Sequence, residues 1–413
     1  MKTASDPAST DQITTHMNPG AARPALATLA RRTKNIAPFQ VMELVKRASR
    51  LEASGKPVIH MSIGEPDFTA PAPVLKALTL AANAGTTQYT SATGIAPLRA
   101  AISNYYRDQF GIDVAAARII VTAGASAALS LACCALVNPG DEVLLTDPSY
   151  PCNRHFIAAF DGIPKMIPVG PATQFQMTAQ LLREHWSGKV RGALLATPSN
   201  PTGTSIPFEQ LKQIVDVVRQ RGGFTIVDEI YLGLTYGEQA ARSALEFGDD
   251  LIVTNSFSKY FSMTGWRLGW LVVPPAWAPT FEKLAQNLYI CASALAQHAA
   301  LACFEPESMA IYEQRRLEFK ARRDFLVPAL NAIGLTVPVE PDGAFYIYLD
   351  CSRFSRDSSQ FASELLDREF VSLVPGDDFG SYEPKRYLRL SYATAMPKLE
   401  EAVRRIERFV KAL

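Results

Sequence analysis

A lysine carries the most distinctive chemistry in this chain. Lys259 follows the apolar run Leu251–Asn255, stands in Ser256-Phe257-Ser258-Lys259-Tyr260-Phe261, and precedes Arg267 by eight positions. A loop lysine is ordinarily solvated. One that is desolvated or close to another cation loses proton affinity and becomes a usable amine, well below the ordinary value of about 10.4. Arg267 offers a planar fork suited to a phosphate. Asp228 terminates the apolar run that starts at Phe224, and an acid there is expensive unless it has a cationic partner. The next residue, Glu229, is free to point away. Asn200 stands between Pro198 and Pro201, whose rings restrict the backbone and hold its amide in one direction; turn-making alone explains the composition equally well. Gly124-Ala125-Ser126 joins the run ending at Thr122 to a helical stretch through Val137. Such a junction is either an anion site with a Ser126 hydroxyl or a plain N-cap.

Together these residues supply an anion cradle, an oriented amide, a buried carboxylate and a lysine nucleophile. Pyridoxal phosphate (PLP) needs that set: a lysine for a Schiff base, an acid on the ring nitrogen, and donors for the phosphate. Each member is weak alone, and the order of the whole set is what makes it specific.

The elements that must position them alternate along the chain. Short β-rich runs at Arg118–Thr122, Glu142–Thr146, Lys165–Val169, Ala193–Thr197, Phe224–Asp228, Leu251–Asn255 and Leu268–Val273 are mostly separated by helical or loop segments. This predicts an α/β fold with a mainly parallel sheet covered on both faces. The last two runs are too close for a standard crossover helix, so Leu268–Val273 is expected to run antiparallel. In such sheets ligands bind at the carboxyl ends of the strands. Helical spacing covers Phe39–Leu51, Pro73–Ala84 and Ala96–Tyr106. After Pro275 the pattern changes. A long helix over Met309–Ile333, strand-like runs at Ala344–Leu349 and Tyr387–Tyr392, and an amphipathic helix over Pro397–Leu413 predict a smaller α+β domain. The expected division is an arm over residues 1–35, a small domain of 36–62 with 305–413, and a large domain of 63–304.

Composition narrows the function class. Of 413 residues, 41 are Lys or Arg and 40 are Asp or Glu, a formal net charge of +1, so no global field draws the protein to nucleic acid or membrane. The six cysteines show no CxxC spacing and are expected to be free thiols in a reducing compartment. No apolar run approaches the ~18 residues of a membrane span. A cytoplasmic protein is expected. The Ala-, Ser-, Thr- and Pro-rich Met1–Arg32 reads as a mobile arm, with a faint transit-peptide flavour where acids are missing from Met17 to Lys34. Met17 is an alternative start.

From about Phe39 to Leu413 the chain resembles the class I aminotransferases of PLP fold type I, in the branch of bacterial aspartate and aromatic aminotransferases. The resemblance is carried by Gly64-Glu65-Pro66-Asp67-Phe68, Gln88-Tyr89-Thr90 leading to Gly94, Asn200-Pro201-Thr202-Gly203, Asp228-Glu229-Ile230-Tyr231, Ser256 through Arg267, Pro341-Asp342-Gly343-Ala344-Phe345, Val374-Pro375-Gly376 and Arg389-Leu390-Ser391-Tyr392. It implies a large domain with a seven-stranded, mostly parallel sheet and one antiparallel strand. Lys259 is implied as the Schiff-base lysine, Asp228 as partner of the pyridine nitrogen, and Tyr231 and Asn200 as partners of the ring 3-oxygen. Tyr150 stacks on the ring. Ala125, Ser126, Ser256, Ser258 and Arg267 hold the phosphate, and Tyr89 reaches it across a homodimer interface with shared active sites. Arg389, rather than nearby Arg386, binds the substrate carboxylate beside Gly64 and Asn200.

The sequence departs from many relatives at Gln88, where a lysine is common, and at Ala125-Ser126. No cation is committed to a second substrate carboxylate. Phe39, Tyr89 and Tyr289 are candidate aromatic walls of a side-chain pocket, which favours neutral or aromatic donors. The expected reaction is ping-pong transamination between an L-amino acid and a 2-oxo acid. A PLP-dependent β-lyase would share Lys259, Asp228 and Arg389. A non-catalytic regulator of this fold would need a DNA-binding domain that the tail is too short to hold, and a nicotinamide dehydrogenase fails for want of a glycine fingerprint.

Overall fold

The computed structural model describes residues 27–37, 41–237 and 241–413, without the side chains of 41–43. Phe39 and most of the expected arm lie outside the described residues. The strands, in chain order, are β1 (Ile59–His60), β2 (Ile119–Thr122), β3 (Glu142–Asp147), β4 (Ile163–Pro168), β5 (Val190–Ala196), β6 (Phe224–Asp228), β7 (Ile252–Ser256), β8 (Gly269–Val272), β9 (Tyr346–Asp350), β10 (Val371–Ser372), β11 (Val374–Pro375) and β12 (Tyr387–Ser391).

Seven of them form one sheet in the order β2-β8-β7-β6-β5-β3-β4. The pairings β3–β4, β3–β5, β5–β6 and β6–β7 are parallel. β8 runs antiparallel to both neighbours, as the short β7–β8 connection requires. Because β8 opposes both β2 and β7, those two run the same way, and the carboxyl ends of β2, β5, β6 and β7 share one edge. The strands β2, β6, β7 and β8 are buried almost throughout. That explains their continuous apolar sequence: a sheet covered on both faces leaves no solvent side for alternation.

The C-terminal part carries the antiparallel sheet β11-β12-β9. Its central strand β12 sets Arg389 opposite Tyr348 on β9 and Val374 on β11. β1 pairs in parallel with β10, aligning Ile59 with Val371, so the segment just before residue 62 joins the C-terminal part. The amide of Ser391 donates to Met61 O at 2.7 Å and that of Met61 to Ser372 O at 3.0 Å. The chain therefore passes from one sheet to the other at Ser62–Phe68.

A long helix, Pro306–Ala332, holds that passage from outside. Its Arg322, fully buried, donates from Nη1 and Nη2 to the two carboxylate oxygens of Asp67 at 2.7 and 2.9 Å, a bidentate pair of the strong kind. The main apolar cluster runs from β2, β6 and β7 through this helix to β9 and β12, so both sheets share one core. All six cysteines are free thiols. Among the described residues no helix is long and apolar enough to cross a membrane.

Candidate active site

The carboxyl edge of the large sheet and strands β9 and β12 enclose a cavity of about 370 Å³, within the range of small-molecule sites. It is lined by Lys259, Asp228, Tyr231, Asn200, Tyr150, Arg389, Gly64, Ala125, Ser126, Ser258 and Arg267. A larger but shallower groove of about 610 Å³ beside Glu65–Thr69 shares only Thr264 with it and holds none of these residues.

Asp228 ends β6 and is 6% exposed. Thr254 Oγ1 donates to its Oδ1 at 3.1 Å and the Ile230 amide donates to the same atom at 3.2 Å. Among the described residues nothing donates to Oδ2, and Asp228 lines the cavity. Burial pushes the carboxyl up to about 6, against the opposing pull of those two donors and of Lys259; at neutral pH it is still an anion. Glu229 turns the other way and is fully buried. Its Oε2 accepts from Ser243 Oγ at 2.8 Å and its Oε1 from the Ala244 amide at 2.7 Å, and burial raises it to about 8.

Lys259 projects from the loop after β7. Its Nζ donates to the carbonyl of Gly64 at 2.5 Å and lies 5.9 and 5.8 Å from the ring centres of Tyr231 and Phe345. Burial is the first cause of its lowered proton affinity, to about 8. Arg389 and Arg267 lower it further, while Glu65 and Asp228 pull the other way. A side chain that would be a permanent cation in water thus keeps a substantial neutral fraction near physiological pH.

The helix Ala125–Leu136 begins at this edge with Gly124 as its N-cap, at φ +82°. The first amides to bond back are those of Ala127 and Ala128, both to Gly124 O, which leaves the Ala125 and Ser126 N–H groups for a ligand. Glycine suits position 124 for its positive backbone angle. A Cβ there would stand 2.5 Å from Arg267 Nη2, so the guanidinium lies across the helix start. Arg267 Nη1 donates to Thr264 O at 3.0 Å. Ser256 does not line the cavity. It braces Ser258, donating to Ser258 Oγ at 2.8 Å or to Leu268 O at 3.0 Å and accepting the Ser258 amide at 3.0 Å.

On the opposite wall Arg389 is 3% exposed. Its Nη1 donates to Asn200 Oδ1 at 2.9 Å and its Nη2 to Ser62 O at 2.6 Å, and its Nε is buried without a partner. Each terminal nitrogen keeps a second proton for a carboxylate. Because Asn200 accepts through Oδ1, its Nδ2 is directed away from the arginine. Arg386 does not line the cavity; half-exposed, it donates from Nε to the buried Asp350 Oδ2 at 2.6 Å.

Tyr89 is 81% exposed and forms a separate small pocket with Cys291 and Leu295; one chain does not bring it to the cavity. Tyr289 packs against the cluster of the sheet's other face and does not line the cavity either. The sequence reading missed Tyr346, Val45 and Ile63, all lining residues. Tyr346 was within reach of it, because it directly follows Gly343-Ala344-Phe345 and lies on the strand paired with that of Arg389.

The donor set fits PLP. Two helix amides, Ser126, Ser258 and Arg267 could hold a phosphate, and the Asp228 carboxylate and a lysine of reduced proton affinity line the same cavity. Comparison with known proteins agrees. The family described as aminotransferase class I and II matches residues 56–406. A valine--pyruvate aminotransferase of Mycobacterium tuberculosis is 38% identical over 90% of this chain and 96% of its own length. An aspartate aminotransferase of Geobacillus stearothermophilus is 33% identical over 93% and 99%. A crystal structure of an aminotransferase from Mycobacterium tuberculosis covers 94% of this chain and all of its own, with a TM-score of 0.91 at 36% identity. Sequence, fold and cavity converge, and the chain belongs to the class I and II aminotransferases, which carry out PLP-dependent transamination.

Proposed function

We propose that this protein exchanges the amino group of a neutral L-amino acid with a 2-oxo acid, with Lys259 as the proton carrier and Arg389 as the carboxylate clamp. The observation that carries this reading is that Lys259, Asp228 and Arg389 line one cavity. When bound, the cofactor supplies an aldehyde that condenses with amines and a ring that absorbs carbanion charge.

The protein's own groups do the rest. The Ala125 and Ser126 amides, Ser126, Ser258 and Arg267 hold the phosphate end. Asp228 Oδ2 accepts from the ring nitrogen, a fixed charge in a buried site where it acts with little screening. Arg389 grips the substrate carboxylate with the protons that Asn200 and Ser62 leave free, and so sets the α-hydrogen in a fixed position relative to the lysine. Lys259, once neutral, takes that proton and returns it one atom away, as base and then acid. Tyr231 and the Asn200 amide would donate to the ring oxygen, and Tyr150 would hold the ring.

The cations lining the cavity are Lys259, Arg267 and Arg389, each with one of these tasks, while Val45, Ile63 and Ile230 add apolar wall. This supports a neutral donor, as does the likeness to a valine--pyruvate enzyme. We assign the segment ending at residue 62 and residues 305–413 to a small domain, supported by the β1–β10 pairing, and residues 63–304 to a large one. Exposed Tyr89 supports a homodimer in which it serves the neighbouring site. A cytoplasmic location is supported by six unpaired cysteines. The test is a half-reaction screen, in which the PLP-loaded protein is mixed with single amino acids and the loss of cofactor absorbance is followed. Neutral donors should react well ahead of aspartate and glutamate. Release of pyruvate and ammonia without an acceptor would show a lyase instead.

A further inference from the structure

Tyr346 makes three contacts inside the cavity wall that the assignments above do not use. Its hydroxyl shares a hydrogen bond with that of Tyr231 at 2.9 Å, and both side chains are buried. Its ring centre lies 4.6 Å from the Arg389 guanidinium carbon, in range of a cation–π contact. The hydroxyl also closes over Gly64, where a Cβ would come within 2.7 Å of Tyr346 Oη. Gly64 has no left-handed backbone angle, so the glycine is there to leave room for this hydroxyl. The carbonyl of the same glycine receives Lys259. One tyrosine therefore touches the residue that holds the lysine, the residue that donates to the ring oxygen and the residue that binds the substrate.

We propose that Tyr346 is a positioning residue of the transamination site, whose hydroxyl donates to Tyr231 and thereby frees the Tyr231 proton for the cofactor oxygen, while its ring holds the Arg389 plane for the substrate carboxylate. The argument is one of proton counting. Each phenol has a single proton. Tyr231 has no other hydrogen-bond partner among the described residues, and neither has Tyr346. If Tyr231 donated to Tyr346 it would have nothing left to give a ligand. The reverse direction satisfies both groups and polarises the Tyr231 hydroxyl, making it the stronger donor. Position 346 thus couples the electronic setting of the cofactor to the substrate clamp. The inference rests on the reading of Lys259 and Tyr231 given above.

The experiment is a pH titration of the cofactor's absorbance in the loaded enzyme, without substrate, for wild type, Tyr346→Phe, Tyr231→Phe and the double variant. A donor to the ring oxygen stabilises its negative charge most when the linked lysine nitrogen has lost its proton, so a weaker donor raises the midpoint. Losing one ordinary hydrogen bond from the chain predicts an upward shift of roughly 0.5–1 pH unit in Tyr346→Phe. The shift should vanish when Tyr231 is already Phe, the signature of coupled neighbours. Because Phe keeps the ring, KM should change less than threefold, whereas Tyr346→Leu should raise KM at least tenfold. An unmoved midpoint in folded, PLP-binding Tyr346→Phe overturns the proposal, as does an undiminished shift in the double variant. A wild type with no midpoint, or one that persists in Lys259→Ala, overturns the underlying reading of the lysine as well.

Discussion

Replacing Lys259 by Met should abolish turnover and at the same time stabilise the cofactor-free protein. The magnitude follows from the site. Burial, with Arg389 and Arg267 nearby, lowers the amine from 10.5 to about 8, which means the folded chain holds the ammonium at a cost of about 3 kcal/mol relative to the unfolded chain. Met has similar length, carries no charge and tolerates irregular apolar surroundings, so it removes that cost without opening a large cavity. The sign has a pH signature. Below pH 8 both states of the wild type are protonated and the full penalty is present. Between pH 8 and 10.5 the folded state sheds its proton while the unfolded state keeps it, so the wild type gains stability as pH rises. The difference between variant and wild type should therefore be about 3 kcal/mol at pH 7 and should shrink towards zero by about pH 10.5. Urea unfolding of both cofactor-free proteins at equal concentration, across that range, measures it. Equal stability at pH 7, or a difference that does not fall with pH, would refute the claim that the cavity suppresses the lysine's charge.

Asp228→Asn keeps the shape of the carboxylate but removes its charge, and should lower the single-turnover rate with any amino donor by roughly 10²–10³, as for one lost preorganised group. A rate within fivefold of wild type would assign ring protonation to another residue. Arg389→Lys should raise KM for every donor by about 10–100-fold with a smaller effect on kcat, because a point charge replaces a stacked, two-pronged clamp; equal losses for substrates with and without a carboxylate would argue against that role. Gly64→Ala should lower activity by driving the new methyl against the Tyr346 hydroxyl, and Tyr346→Phe in the same chain should restore part of it. Absence of rescue would place the damage elsewhere.

Much of the site was readable in the sequence because burial leaves a compositional mark. Phe224–Asp228 stands out as an apolar run ended by an acid, and β6 has those same limits. The antiparallel direction of β8 followed from a connection too short to cross the sheet. Choosing Arg389 over Arg386 needed the wider resemblance, since either position could have faced inward; the structure shows one capped by Asp350 and the other buried. What stayed hidden depends on contacts between distant parts of the chain or on rotamers. β1, β10 and β11 have two residues each, too few for a period, and exist because tertiary neighbours pair with them. Ser256 and Ser258 are equivalent as letters, yet only the second lines the cavity. Tyr346 and Tyr231 are 115 positions apart, and nothing local to either announces the other. Tyr89 is exposed in the single chain, and the dimer proposed above gives it a role only in the presence of a second chain.

The charges that line the cavity bear on what the site can accept. Three cations, Lys259, Arg267 and Arg389, and one anion, Asp228, line it. Burial raises Asp228 and lowers Lys259. With the lysine protonated, the lining is left two positive charges in excess. A phosphate group brings about −1.5 to −2 and an α-carboxylate −1 more. Those two anions total about −2.5 to −3 and exceed the excess, and losing the lysine proton, which the reaction demands, widens the gap. A second carboxylate on the donor would enter a space where, among the described residues, no further cation lines the wall and Val45 and Ile63 are apolar. On the reading proposed above, in which Lys259 acts as a base at neutral pH, the same arithmetic disfavours acidic donors. Introducing an arginine at Ile63 should shift preference towards aspartate by about one to two powers of ten in kcat/KM, for about 1.5–3 kcal/mol from one charged hydrogen bond. A variant that gains nothing with aspartate would show that something other than charge selects the donor.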